Sequence, residues 1–202
     1  MTRTRITALD PSTYGRTPWK NGGGVVIDIA GETRQGAASP TGWDATLWRF
    51  GRTTIPVGAP FSDLAGFDRL LMVVEGRGLV LRTATEEIDV REAFLPVRFA
   101  GETKIVSGLE AGPVDVVNLI ANRAYATIEL ARLAHEASKT LTPGIHVLYA
   151  AAGACTLRCN GERRVLAAGH ALQVEGDGSS IVDDVTGTVV VASVYAKAAF
   201  AN

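Results

Sequence analysis

The sequence predicts an all-β protein made of two related modules, on three observations. Its apolar residues fall into short runs rather than helical stripes. Turn residues separate those runs at intervals of roughly ten positions, the spacing of sandwiches and barrels. The middle of the chain can also be laid on its C-terminal part, strand for strand.

In chain order, MTRTRITALD carries positive charge with no apolar segment behind it and does not read as a signal peptide. Residues 11–14, PSTY, open on a proline and read as a helical turn. In TPWKNGGGVV (17–26), three glycines run into the first strand, VVIDIA (25–30). Further strands are expected at ATLWRF (45–50), RLLMVVEG (69–76), GLVLRT (78–83), FLPVRF (94–99) and VDVVNLIA (114–121), all rich in β-branched or aromatic residues. Residues 129–138 read as a second helical stretch. Strands resume at HVLYAAAG (146–153), CTLRC (155–159), RRVLAAG (163–169), ALQVEG (171–176), SSIVDD (179–184) and TVVVASVYA (188–196). Asn160-Gly161, between CTLRC and ERRVL, is the strongest hairpin signal in the chain.

Laying residues 70–97 on 146–174 puts Gly76 on Gly153, Leu81-Arg82 on Leu157-Arg158 and Leu95 on Leu172. Each unit then reads strand, glycine turn, strand, hairpin, strand, which points to a tandem duplication. Such an arrangement looks like a bicupin, two jelly-roll (RmlC-like) β-barrels in one chain. The expected division is residues 1–125 for the N-terminal barrel and 126–202 for the C-terminal one.

Composition narrows the function. Among 202 residues, 20 basic side chains balance 21 acidic ones, so there is no electrostatic footprint for a nucleic acid. No apolar run is long enough to span a bilayer, and the chain reads as cytoplasmic. Cys155 and Cys159, four residues apart on one expected strand, would sit roughly 13 Å apart, beyond disulfide reach, and read as two small buried thiols. The three histidines, His135, His146 and His170, form no His-x-His pair, so neither a metal nor another cofactor is expected. The triple glycine precedes a strand rather than a helix and fits neither GxxxxGK[ST] nor GxGxxG, which argues against a phosphate loop.

Taken together, RTPWKNGGG (16–24), Trp48-Arg49, Pro60-Phe61-Ser62, GFDR (66–69) and EGRG (75–78) resemble the HutD/Ves family. The resemblance implies a metal-free bicupin associated with histidine utilisation, regulatory rather than of known mechanism, with a small carboxylate such as formylglutamate as ligand. It departs from the family where Val26 and Ile27 follow the glycines in place of polar residues, leaving Asp28 as the acidic member.

The residues also suggest a binding chemistry directly. Lys20, Arg49 and Arg69 supply cations, Asn21 and Asn118 supply amides, and the backbone of Gly22, Gly23 and Gly24 can expose N–H groups. Trp19, Trp48 and Phe61 would wall a pocket, with Ser62 in the adjoining turn and Asp68 orienting Arg69 or selecting a ligand amino group. The expected partner is a small anionic metabolite, and a homodimer through a sheet is compatible with the pattern. The bland reading makes Trp19 and Trp48 core aromatics and Asp68-Arg69 a surface turn. The alternative function is a cofactor-independent cupin-type isomerase, epimerase or hydrolase with Lys20 or Asp68 as acid/base.

Overall fold

The computed structural model describes residues 4–19, 24–34 and 42–197. Its regular structure is all β apart from two 3₁₀ turns, Pro11–Thr13 and Trp43–Ala45. Asp10 caps the first, its carboxylate accepting from the Ser12 N–H at 2.8 Å. The second expected helical stretch is instead strand up to Leu133, the end of a strand that begins at Ala126, and no helix follows. Ala126, Ile128, Leu130 and Leu133 are buried while Thr127, Glu129 and Arg132 are exposed, and that near-alternation suits a pleated strand.

Contacts divide the chain into two units, Gly15–Ile128 with Lys197–Asn202, and Glu129–Ala196 with Met1–Tyr14. The first holds β2 (Gly15–Pro18), β3 (Val25–Thr33), β4 (Thr46–Ile55), β5 (Phe67–Glu75), β6 (Leu79–Arg82), β7 (Glu87–Val90), β8 (Val97–Ala100), β9 (Val106–Leu109) and β10 (Val114–Asn122). They form an open six-stranded sheet, β2-β3-β4-β10-β5-β8, and a three-stranded sheet, β7-β6-β9. The other unit uses β1 (Thr4–Leu9), β11 (Ala126–Leu133), β12 (Lys139–Leu141), β13 (Gly144–Tyr149), β14 (Cys155–Cys159), β15 (Glu162–Leu166), β16 (Ala171–Gly176), β17 (Ser180–Thr186) and β18 (Val189–Ala196). Its sheets run β1-β16-β13-β18-β11 and β12-β17-β14-β15. The N-terminal strand thus belongs with the C-terminal half, because β1 pairs antiparallel with β16 from Thr4↔Gly176 to Leu9↔Ala171.

The two units repeat one topology. The order β4-β10-β5-β8 matches β11-β18-β13-β16, and β7-β6-β9 matches β15-β14-β17. The glycines aligned from sequence share a backbone conformation, with φ +102° at Gly76 and +104° at Gly153. After each hairpin a left-handed residue donates back to the central strand: Phe94 to the Val73 carbonyl at 2.9 Å and Gly169 to the Ala150 carbonyl at 2.8 Å. This is why the expected FLPVRF strand (94–99) becomes extended only from Val97, in β8 (Val97–Ala100). Asn160 (φ +52°) and Gly161 (φ +81°) make the two-residue β14–β15 turn, as the sequence predicts.

Each unit has its own core. In the first, Leu71, Val73, Val114, Val116 and Phe99 of the large sheet meet Leu79, Leu81 and Val90 of the small one. In the second, Leu148, Val174 and Val191 meet Cys155, Leu157 and Cys159. Both cysteines are free and buried, and burial pushes their thiols up. No helix among the described residues is long and apolar enough to cross a membrane.

The aligned glycines separate backbone strain from crowding. A Cβ on Gly153 meets nothing within 4 Å, whereas one on Gly76 would lie 2.8 Å from the Pro113 carbonyl oxygen. Gly153→Ala should cost about 1–2 kcal/mol of left-handed strain. Gly76→Ala should cost clearly more, as read from urea unfolding of the two variants side by side.

Candidate functional site

Side chains directly opposite each other in an antiparallel pair share a face, so register shows what the first unit's large sheet gathers toward its core. One row runs Phe99 (β8), Arg69 (β5), Ile120 (β10), Arg49 (β4). The next runs Leu71, Asn118, Gly51, Asp28, Gly15 across β5, β10, β4, β3 and β2. A third carries Val73, Val116, Thr53, Val26 and Thr17. Two arginines, an asparagine and an aspartate therefore occupy adjacent positions on one face. Arg69 and Arg49 flank β10 with Cα atoms roughly 10 Å apart, and Asn118 lies diagonal to both, at about 7–8 Å.

Arg69 is the unusual member, only 8% exposed. Two phenyl rings pack against its guanidinium, with the Phe61 and Phe99 ring centroids each 5.0 Å from Cζ and 6.1 Å from each other. Its Nη1 donates to the Ser62 carbonyl at 3.4 Å, Nε is buried without a partner, and no carboxylate pairs with it among the described residues. Burial alone pushes its pKa down to about 10. With Nη1 held by the Ser62 carbonyl, Nε is left as a buried donor without a partner, on the edge of the guanidinium that suits a planar carboxylate.

Arg49 is partly neutralised. Its Nε donates to Asp28 Oδ1, and the other Asp28 oxygen accepts from Thr17 Oγ1 at 2.7 Å. The guanidinium lies 5.6 Å over the Trp43 ring, which meets Phe67 edge-on at 5.4 Å, while Nη2 is buried and unpartnered. Asn118 Oδ1 is likewise buried without a partner. Among the described residues five buried side-chain polar atoms are orphaned in this way, and three of them sit on this one face.

Of the residues expected at the site, Arg49, Arg69, Asn118, Phe61 and the Ser62 carbonyl come together. Trp19 is partly buried against the same core, and its indole packs where a Cβ on Gly24 would fall, 3.2 Å away. Lys20, Asn21, Gly22 and Gly23 lie outside the described residues. Trp48 and Asp68 do not join the site. Each neighbours an arginine in a strand, so the pleat turns it to the opposite face. Trp48 is 4% exposed there and donates from Nε1 to Glu32 at 3.2 Å. Asp68 accepts from Arg123 Nε at 2.7 Å and lies 3.6 Å from Arg98, which removes it from any acid/base role beside Arg69. Trp43, Phe99 and Thr17 are site members that sequence reasoning missed. A cavity of about 560 Å³ shares Phe61 with this face and is otherwise lined by residues such as Arg82 and Lys104, but by none of Arg49, Arg69 or Asn118.

The repeat places His146 of β13 where β5 has Arg69, and Ser193 of β18 where β10 has Ile120. His146 Nε2 can only donate to the Thr142 carbonyl, at 2.7 Å, so Nδ1 accepts from Ser193 Oγ at 2.9 Å. This resembles a serine–histidine dyad, but both residues are buried to 2% exposure or less and their bonds are satisfied internally. His170 Nδ1 lies 3.8 Å from Asp10. No three His, Cys, Asp or Glu side chains among the described residues are grouped to hold a metal ion.

Comparison with known proteins places this geometry. The HutD family model matches residues 11–191. The chain belongs to the HutD family. A curated Pseudomonas putida relative, an uncharacterised 21.2 kDa protein in the hutC 3′ region, is 29% identical over 116 residues, which cover 57% of this chain and 58% of that protein. The solved HutD from Pseudomonas fluorescens SBW25, in a formate condition, superposes with a TM-score of 0.79 at 26% identity, covering 96% of this chain and 100% of that one. A cupin 2 conserved barrel protein from Leptotrichia buccalis superposes at TM-score 0.53 with 8% identity over 86% of this chain and 89% of its own, a likeness of fold alone. This HutD-family chain is thus all-β and cupin-like.

His146 yields a pH prediction. Burial chiefly holds its pKa below the ordinary value, against the opposing bond to the Thr142 carbonyl. The unfolded chain then takes up a proton near pH 6.5 that the folded one resists. Stability should be full above that pH and decline as pH falls below it. In His146→Gln that part of the decline should flatten, measured by urea unfolding between about pH 7.5 and 5.

Proposed function

We propose that the Gly15–Ile128 unit binds a small carboxylate on its inward sheet face, with Arg69 as the anchor. The carrying observation is the buried guanidinium with a free Nε edge and no acidic partner among the described residues. A charge removed from water with one carbonyl for company is a strong demand for an anion. The two phenyl rings exclude water from the guanidinium, and Arg49 Nη2 offers a second donor from the far side of β10.

Within this reading the protein is a two-barrel, jelly-roll member of its family, produced by tandem duplication; the repeated strand orders and the matched left-handed positions support that origin. It acts as a regulator in histidine utilisation rather than as a catalyst, with formylglutamate or a related intermediate as candidate ligand. Support comes from the family, from the relative described in the hutC 3′ region, and from a site built of donors whose one carboxylate is already paired. A cytoplasmic location fits two free thiols, and open sheet edges leave room for a homodimer.

Thermal-shift titration with carboxylates of the histidine pathway, beside acetate and succinate, tests the reading. At least one carboxylate should raise the melting temperature of the natural chain. In Arg69→Leu that rise should disappear, and in Arg69→Lys it should shrink, because lysine cannot supply the paired edge. No stabilisation by any of these acids, or stabilisation that survives Arg69→Leu, counts against it.

A further inference from the structure

Outside the arginine face, the first unit holds a cavity of about 560 Å³ with two unmatched charges on its lining. It lies between the Phe61 loop, the segment 102–106 and the turn that follows β6. Pro60, Phe61 and Ile105 give it an apolar wall. The loop and the segment are zipped together along the backbone. Ser107 N–H donates to the Ala59 carbonyl at 3.0 Å, Phe61 N–H to the Ile105 carbonyl at 2.9 Å and Leu64 N–H to the Gly101 carbonyl at 2.9 Å. Gly101 permits the last of these contacts, since a Cβ there would lie 2.1 Å from the Leu64 carbonyl oxygen. The wall is therefore preformed, and a ligand that enters has little backbone to order.

Four charged side chains line the cavity, and two of them are already matched. Arg82 Nε donates to Glu87 at 2.6 Å, and the two Glu102 oxygens accept from Arg123 at 2.9 and 3.1 Å. Asp63 and Lys104 are exposed and have no hydrogen bond or ion pair among the described residues. Yet both lie between the same two backbone rungs, Phe61–Ile105 and Leu64–Gly101, so their chain positions are close. Opposite charges that line one cavity without closing on each other leave it with a positive and a negative pole. A simple anion would meet Lys104 and be repelled by Asp63, and a simple cation the reverse. A zwitterion answers both, and the apolar wall takes its side chain.

We propose that this cavity is a second ligand site, for a free α-amino acid with a large apolar side chain. Lys104 Nζ donates to the ligand carboxylate, Asp63 accepts from the ligand ammonium, and the side chain packs against Phe61 and Ile105. The ammonium separates this chemistry from the face around Arg69, where a ligand cation would stand close to two arginines. None of the cations on that face lines the cavity, so the two sites stand or fall separately.

Isothermal titration with L-phenylalanine, its N-acetyl form, its amide and glycine tests this. Each titration is run on the natural chain and on Arg69→Leu, which separates a carboxylate held at Arg69 from one held here. In both chains L-phenylalanine should bind, and glycine should bind more weakly. In Arg69→Leu, L-phenylalanine should bind at least about fivefold more tightly than either capped form, because each cap removes one charged contact. Asp63→Asn, combined with Arg69→Leu, should abolish the preference over the N-acetyl form, and Lys104→Gln the preference over the amide. Both substitutions are at exposed positions and should leave the urea midpoint unchanged. In the natural chain each should also weaken L-phenylalanine binding. No binding of L-phenylalanine by the natural chain overturns the proposal. So does binding that is unaffected by both Asp63→Asn and Lys104→Gln, or binding that disappears in a folded Arg69→Leu, which would place the amino acid on the arginine face.

Discussion

A guanidinium taken out of water needs acceptors in return, and Arg69 has been given one backbone carbonyl and two phenyl rings. Much of the first unit is arranged around that imbalance. The rings come from a loop and from β8, so the Phe61 loop and the β8 edge must both be in place for the cation to be enclosed. That loop is pinned by Phe61 N–H to the Ile105 carbonyl at 2.9 Å and by Leu64 N–H to the Gly101 carbonyl at 2.9 Å. The enclosure lowers the guanidinium pKa and keeps its open edge dry, which strengthens any hydrogen bond made there.

The sheet supplies the geometry. Antiparallel pairing at fixed register sets Arg69, Asn118 and Arg49 on three neighbouring strands and one face, and a one-residue slip of β10 would turn Asn118 away from both arginines. Asp28, itself held by Thr17, then neutralises the Arg49 charge, leaving Arg69 as the dominant attraction. The second unit, with its matching strand order, shows the same position resolved differently. There His146 takes the central place, Ser193 and the Thr142 carbonyl satisfy it, and nothing is left over for a ligand. One unit keeps an unmet demand at this position, and the other satisfies it internally.

Much of this was legible in the sequence. The strands, the Asn160-Gly161 hairpin and the Gly76/Gly153 equivalence follow from local chemistry and internal repetition, which a single chain displays. The cation set and Asn118 were also visible as chemistry without a place. Residue chemistry alone does not give direction: Trp48-Arg49 and Asp68-Arg69 each offer two plausible site residues, although neighbours on a strand cannot face the same way. Applying the two-residue period would have kept the arginines and released Trp48 and Asp68. Trp43 and Phe99 could not be found that way, because their contact with the arginines depends on a 3₁₀ turn and on the pairing of β8 with β5. The placement of β1 in the other unit is likewise a pairing over a long stretch of chain, which local pattern does not encode.

The most direct measurement is the stability of Arg69→Leu without any ligand. If Arg69 is held for a ligand at the expense of the fold, replacing an unpaired buried charge with an apolar side chain should raise the unfolding midpoint of the free protein. A lower midpoint would show that the guanidinium is already well satisfied inside the protein, and would contradict the account.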